Sequence, residues 1–337
     1  MFIPFLTTGI GSLPHTDPYE ACRLVLDTFD IPFWPQMPRL SFREFMIPQF
    51  SEGMPFLKVD EKRETIWIER DGDDLTKFYE TYSEDMKLTI SESHARGLHA
   101  FLHTVKDRHF EFLKGHVTGP LTFTLGLKDH SGRLIYFDEE LREIALMLLK
   151  AKIRWQIGIL KQYADQVIIF IDEPVLSALG TSSFIGVSQE EALRLLRETS
   201  DEIQHAGGIA GIHCCSKADW PLVISSNVSI ISFDAYDYVE TISLYPSEFT
   251  AFLKNGGYLA WGIVPTTEAI QDENTESIRT KFGHRVDLLS KSIPAELLLS
   301  RILLTPSCGT GARNLDETEK IFRIVSELGN SLKGRAV

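Results

Sequence analysis

The chain alternates between short apolar segments and longer segments with helical periodicity. The short segments are rich in β-branched or aromatic residues and carry Gly, Pro, Ser or Asp near their ends. This pattern is typical of buried strands that lead into loops. The eight short segments are 7–13, 31–35, 115–123, 166–174, 208–215, 229–237, 257–265 and 302–309.

The longer segments predict amphipathic helices. Residues 137–166 place apolar side chains at three- and four-residue spacing. A helix that begins with the capping box of Ser188 and Glu191 is expected to end at Gly207. A last helix is expected to begin after Asn314 and to end at Gly329. Strands separated by helices pair in parallel through crossover connections.

Eight strand–helix units in 337 residues predict a (β/α)8 TIM barrel that spans residues 1–337 as a single domain. Residues 58–75 predict a charged hairpin, inserted after the second unit and turning at Asp71-Gly72. A doubly wound open sheet is the alternative. The sequence has no GxGxxG or Walker A loop to favour that alternative.

Composition argues against some classes of binding partner and indicates the cellular compartment. A formal net charge of -13 argues against nucleic acid or an anionic membrane as a partner, because both select basic surfaces. Four cysteines are too few for a disulfide scaffold, which indicates a reducing compartment. The first residues do not resemble a signal peptide, and no apolar run approaches the ~20 residues of a membrane helix. We therefore expect a cytoplasmic protein.

Polar residues that could bind a ligand or take part in catalysis follow the predicted strands. In a barrel, the carboxyl ends of all strands open onto one face, where active sites lie. These side chains are therefore expected to converge on a single pocket. They are Ser12, Asp172, Glu173, His213, Cys215, Asp234 and Cys308.

The stretch GIHCCS suggests a metal site. His213 and Cys215 point to the same side of a strand, and Cys214 points to the other side. With Cys308 and Asp234 they would make a tetrahedral zinc set of nitrogen, sulfur and oxygen donors. The alternative is that these cysteines only pack in the core, as we expect for Cys22 in a predicted helix.

Two further segments could bind an amino acid. Asp172 could accept an ammonium group, although the Asp172-Glu173 pair could equally cap a helix or be solvated. The backbone of Ile10-Gly11-Ser12 could form a nest for a carboxylate, although a plain turn is equally compatible. Together the two segments would hold both ends of an amino acid.

Six motifs resemble the catalytic barrel of cobalamin-independent methionine synthase: TTGIGSLPHT, GHVTGPLTF, IIFIDEP, HCC, ISFD and PSCG. They occur in the same order from the first residues to about residue 313. The resemblance implies a barrel related to that of uroporphyrinogen decarboxylase. It also implies one zinc ion held by His213, Cys215, Cys308 and Asp234.

The resemblance further implies a methyltransferase that converts homocysteine to methionine. Ile10, Gly11 and Ser12 would bind homocysteine together with Asp172, and Glu52 is the candidate for a further acid near the amino group. Zinc would hold the homocysteine sulfur as a thiolate, which then attacks a methyl group.

Three departures from the family pattern bear on the methyl donor and the metal. The family usually has glutamate where this chain has Asp234, and Asp237 is the fallback ligand. The additional N-terminal barrel that helps to hold folate in long members has no counterpart. The segment GYLAWGIVPTTE also lacks the histidine that is placed as an acid near the donor.

These departures favour methylcobalamin or a methylated corrinoid protein over folate. An amine leaving group needs a proton, whereas a reduced cobalt centre does not. Three alternatives are a zinc methyltransferase with another thiol acceptor, such as a coenzyme-M-like thiol, a decarboxylase of the uroporphyrinogen type, and a non-enzymatic zinc- or thiol-binding barrel.

Overall fold

A computed structural model describes residues 2–83 and 85–334, without the side chain of Ser183. Its strands are β1 (Leu57–Asp60), β2 (Thr65–Ile68), β3 (Phe110–Thr118), β4 (Ala164–Asp172), β5 (Ile209–Cys214), β6 (Ile230–Phe233), β7 (Tyr258–Val264) and β8 (Ile302–Pro306). Strands β3 to β8 form one parallel sheet and pair in chain order. Strands β1 and β2 form a separate antiparallel hairpin.

The first two predicted strands do not form regular ladders, which corrects the expectation of eight strands. Both segments are extended and lie between β8 and β3, but scattered backbone hydrogen bonds and isolated bridges, not continuous ladders, link them to their neighbours. Prolines in the second segment lack the N–H groups that a ladder needs. The sheet is thus curled, consistent with a TIM-like barrel. Three of these bonds run from Thr8 N to Leu304 O (3.0 Å), from Ile31 N to Thr7 O (3.0 Å) and from Lys114 N to Pro32 O (2.8 Å).

Helices follow the strands, as the periodicity predicts. The described residues form α1 (Pro18–Thr28), α2 (Met46–Ser51), α3 (Asp74–Thr81), α4 (Arg96–Val105), α5 (Pro120–Gly126), α6 (Glu139–Leu160), α7 (Gln189–His205), α8 (Trp220–Ser225), α9 (Pro246–Lys254), α10 (Thr275–Leu289), α11 (Ala295–Leu299) and α12 (Leu315–Lys333). None of them is both long and apolar enough to span a bilayer.

The core has two parts, one inside the curl of the sheet and one between the sheet and the helices. Ile168, Phe170, Ile230 and Tyr258 belong to the inner cluster. The outer cluster is larger and includes Trp261 and the apolar faces of the long helices. Each fully buried Leu, Ile or Phe contributes roughly 1.5–3 kcal/mol, so both layers hold the strand ends in fixed positions.

Two predicted helix starts are confirmed and one predicted end is wrong. Ser188 caps α7 by accepting from Glu191 N, and Gly207 follows the helix at φ +80°. Asn314 caps α12 in a full capping box, but that helix continues through Gly329 to Lys333. A Cβ at Gly329 would lie 2.5 Å from Thr7 Cγ2, so this glycine allows close packing instead of ending the helix.

The charged hairpin is confirmed, but its turn lies earlier than predicted. Strands β1 and β2 are joined by residues 61–64, and Asp71-Gly72 lies in the loop before α3. Asp60 Oδ1 accepts from Lys62 N and Arg63 N, both at 3.1 Å. An Asx turn of this kind needs no glycine, which is why the Asp-Gly signal pointed to the wrong place.

Candidate active site

The carboxyl ends of the strands surround a cavity of about 540 Å³. Extended segment 7–13, β4, β5 and the loop after β8 contribute predicted site residues, and α2 covers one side. The fold therefore brings most of the predicted site residues to this one cavity. The predicted residues that line the cavity are Ile10, Gly11, Ser12, Asp172, His213, Cys215 and Cys308.

His213, Cys215 and Cys308 form one cluster. Their nitrogen and sulfur ligand atoms all lie within 4.8 Å of one another. Cys214 points away from the cluster, is buried, and has its Sγ 3.7 Å from Ser216 O. The prediction that His213 and Cys215 point to one side is thus confirmed, although Cys215 lies one residue beyond the end of β5.

The His213 ring is held so that one nitrogen stays available. Its Nδ1 lies 2.9 Å from Oγ of Ser232 on β6, and its Nε2 is buried without a hydrogen-bond partner. A buried polar atom with no partner is uncommon in a folded protein. A metal ion between Nε2 and the two sulfurs would satisfy it, and the donor set is one that zinc prefers.

The two cysteine thiols differ in acidity. The neighbouring Cys308 thiol and the His213 ring lower the pKa of Cys215 to about 4, against the effect of burial. The hydrogen bond to Cys215, together with burial, raises the pKa of Cys308 well above its usual value. A thiolate beside a thiol can bind a soft divalent cation by releasing the remaining proton. The residues present therefore fit zinc.

Asp234 lies near this cluster but outside it. Its Oδ1 accepts from the N–H groups of Tyr236 and Asp237, both at 2.8 Å. None of the hydrogen bonds among the described residues uses its Oδ2. Burial raises the pKa of Asp234 to about 6. The fallback residue Asp237 is exposed. Ligation by either carboxylate remains a prediction.

The side chains of Asp172 and Glu173 point to different places and have different partners. Asp172 lines the cavity, and its buried Oδ1 has no hydrogen-bond partner. Burial raises the pKa of Asp172 to about 6, opposed by His213 and Lys114. Glu173 turns away and accepts from Leu121 N (2.9 Å), Thr122 N (2.8 Å) and Thr122 Oγ1 (2.6 Å) at the start of α5. The helix-cap alternative thus describes Glu173, and Asp172 is left for a ligand.

The predicted nest has free donors. No hydrogen bond among the described residues uses the N–H groups of Ile10, Gly11 or Ser12, although Gly11 O accepts from Gln36 N at 3.0 Å. A Cβ at Gly11 would lie 3.0 Å from Nδ1 of the buried His116, so a side chain here would require the imidazole ring to shift. Free N–H groups beside a cavity suit a carboxylate.

Glu52 does not line the cavity. It accepts from Ser91 N at 2.9 Å, and it lies 3.4 Å from His94 Nδ1. The second acid at the cavity wall, besides Asp172, is instead Glu44, whose oxygens accept from Met37 N (2.8 Å) and Arg96 N (3.0 Å). Sequence reasoning missed Glu44 because it lies in an irregular segment. Sequence reasoning also missed Lys114. The signal that could have identified it is a lysine within a mostly apolar strand.

The fold is similar to that of a solved methionine synthase. The structure of a B12-independent methionine synthase from Shewanella sp. W3-18-1, in complex with selenomethionine, aligns with a TM-score of 0.60. The two chains are 15% identical, and the alignment covers 99% of each. The chain therefore has a methionine synthase-like fold.

A second solved structure is only weakly similar. A broad-specificity GH5-4 endoglucanase from Clostridium longisporum aligns with a TM-score of 0.31 at 11% identity, over 74% of this chain and 92% of the other. That value is too low to support a functional comparison. No family model matches the chain, and no curated protein matches it.

Proposed function

We propose that the protein is a zinc-dependent methyltransferase that moves a methyl group to the thiol of homocysteine and forms methionine. One observation carries the proposal: soft metal donors and unpaired groups for an amino acid line the same cavity. The methionine synthase-like fold supports it.

The amino-acid end of the cavity matches the charges of homocysteine. Asp172 offers a carboxylate oxygen without a partner, which an ammonium group would satisfy. The free N–H groups of residues 10–12 would receive the carboxylate. With both ends held, the acceptor sulfur would reach His213, Cys215 and Cys308.

These three residues would hold the zinc ion, with Asp234 as the expected fourth ligand. When bound, zinc supplies Lewis acidity that keeps the acceptor sulfur as a thiolate at neutral pH. Ser232 would keep His213 oriented through Nδ1. In the transfer, a bond forms between sulfur and the methyl carbon, and the carbon–donor bond breaks with its electron pair left on the donor.

We further propose a methyl-corrinoid donor, either methylcobalamin or a corrinoid protein. A folate amine would need a proton as it leaves. The three residues directly after β7 are Pro265, Thr266 and Thr267, which are not ionisable, and the next residue, Glu268, is exposed. The cavity wall on the α2 side is apolar, which suits a large macrocycle better than a charged cofactor. That wall includes Pro38, Phe45, Met46, Ile47, Pro48 and Pro174.

The three alternatives fit the cavity less well. A decarboxylase of the uroporphyrinogen type would need arginines for several carboxylates, and none of the described residues that line the cavity is arginine. A closed structural zinc site would not lie open to a cavity of this size. A different thiol acceptor would leave Asp172 and the free N–H groups unexplained.

The test is methyl transfer by the zinc-loaded protein under reducing conditions. Homocysteine and coenzyme M are each offered with methylcobalamin and with methyl-tetrahydrofolate. We expect methionine only from homocysteine with methylcobalamin. Transfer from folate would overturn the donor assignment. Equal transfer to coenzyme M would overturn the acceptor, and no transfer from any donor would count against the enzyme.

A further inference from the structure

Lys114 lies buried beneath the amino-acid end of the cavity. Its side chain is fully buried on β3, inside the curl of the sheet. Its Nζ donates to Ile10 O at 2.6 Å, and this is the only hydrogen bond that it makes among the described residues. The ammonium group therefore binds the carbonyl group of the peptide bond between Ile10 and Gly11, which is part of the predicted carboxylate nest.

The surroundings of Lys114 are otherwise apolar. Its Nζ lies 4.6 Å from the ring centre of Phe170 and 5.2 Å from that of Phe33. Burying an ammonium group with one hydrogen bond and two aromatic faces is unfavourable compared with a hydrophobic side chain of similar size. Packing alone does not account for a lysine at this position.

Lys114 leaves the second amino-acid group free. No ion pair within 4.0 Å joins Lys114 and Asp172 among the described residues, and Oδ1 of Asp172 has no hydrogen-bond partner. The ammonium group of Lys114 is therefore bound to the backbone at Ile10 and not to the carboxylate.

We propose that Lys114 is a positioning residue for the α-amino-acid head of the acceptor. It fixes the backbone at Ile10 through a hydrogen bond, and this contact holds the predicted carboxylate nest in place. It touches neither the methyl group nor the metal donors. This inference rests on the proposed function, because it assumes that the acceptor carries an amino acid head.

Lys152 provides a matched control. It is also fully buried, it donates from Nζ to a backbone carbonyl, Thr89 O, at 3.2 Å, and burial lowers the pKa of both lysines to about 8. Neither Lys152 nor Thr89 lines the cavity. Comparing K114M with K152M separates loss of a buried lysine from loss of this one.

The experiment measures binding by calorimetry, with zinc-loaded protein and without a methyl donor. Homocysteine is compared with ethanethiol, which has the thiol but no amino acid head. We expect K114M to weaken homocysteine binding about tenfold or more, as loss of a hydrogen bond to a charged group would do. Ethanethiol binding and zinc content should stay as in the wild type, and K152M should bind homocysteine normally.

Several outcomes would overturn the inference. Unchanged homocysteine binding in K114M would do so, as would equal weakening for both thiols. K114Q, which keeps a donor but not the charge, should give an intermediate value. If K114M and K114Q fail to fold and K152M folds, Lys114 belongs to the core alone. If the wild type binds homocysteine no better than ethanethiol, the proposed acceptor itself is wrong.

Discussion

The Nδ1 atom of His213 lies 2.9 Å from Oγ of Ser232, and this contact leaves Nε2 of the same ring facing the two cysteines. The residues lie on neighbouring strands, where His213 pairs with Ser232 in register. The sheet therefore orients a candidate metal ligand through a group that is not itself a ligand.

Removing that hydroxyl should weaken metal binding without unfolding the protein. We expect S232A to lower zinc affinity about 10- to 100-fold, because the imidazole loses the partner that orients it. Competition with a chelator of known affinity measures this. The control S226A removes another buried hydroxyl, which donates to Val223 O at 2.7 Å on the helical side, and should leave the affinity unchanged. Equal affinity in S232A would mean that Ser232 does not orient the ligand.

The cysteines should divide into two classes. C215A and C308A should each lose most of the bound zinc, since each removes one sulfur donor. C214A and C22A should retain about one zinc per chain, because both thiols are buried away from the cluster. Metal analysis of the reduced proteins checks this. Zinc lost equally in C214A, or retained in C308A, would contradict the site.

Substituting Asp172 should weaken homocysteine binding, whereas substituting the adjacent Glu173 should lower stability. D172N removes an unpaired buried carboxylate, so stability should be kept while homocysteine binding falls about 10- to 100-fold. E173Q places an amide against the donors of α5 and should lower the free energy of unfolding by about 1–3 kcal/mol. Urea unfolding and calorimetric titration separate the two effects. Similar stability losses in both variants would show that Asp172 is structural.

A methyl group at residue 11 should clash with His116. The imidazole cannot move easily, because it stacks on Trp34 with ring centres 3.7 Å apart. We expect G11A to cost about 1–3 kcal/mol of stability, and clearly less in an H116A background. A double-mutant cycle of urea unfolding measures the coupling. The same cost in both backgrounds would mean that some other contact requires glycine.

Glu44 should contribute a pH dependence to stability. Burial raises its pKa to about 7, against hydrogen bonds from Met37 N and Arg96 N, and the unfolded value is 4.5. Between these values the folded protein binds the proton more tightly, so this contribution to stability is lost as the pH rises from 4.5 to 7. From pH 5 to pH 7.5 the wild type should lose about 2–3 kcal/mol more than E44Q, as urea unfolding would show. Parallel profiles would mean that Glu44 stays ionised.

Local patterns were sufficient for the starts of α7 and α12 and for the six strands of the sheet. Ser188 and Asn314 cap helices because their side chains reach backbone N–H groups within the same turn, which is a local property. Gly329 was misread because its reason is a contact with Thr7, more than 300 residues away in the chain. The hairpin turn was misread because Asp60 forms an Asx turn that outweighed the Asp-Gly signal.

By itself, the sequence determined which residue types end the strands, and alternation along β5 put His213 and Cys215 on one side. Only the tertiary structure decided which strand ends meet. It brought Cys308 to that pair, left Glu52 outside the cavity and separated Asp172 from Glu173. It also placed Lys114 beneath Ile10, 104 residues away. Spacing along a chain fixes the face of one strand, whereas contact between strands depends on how the whole sheet curls.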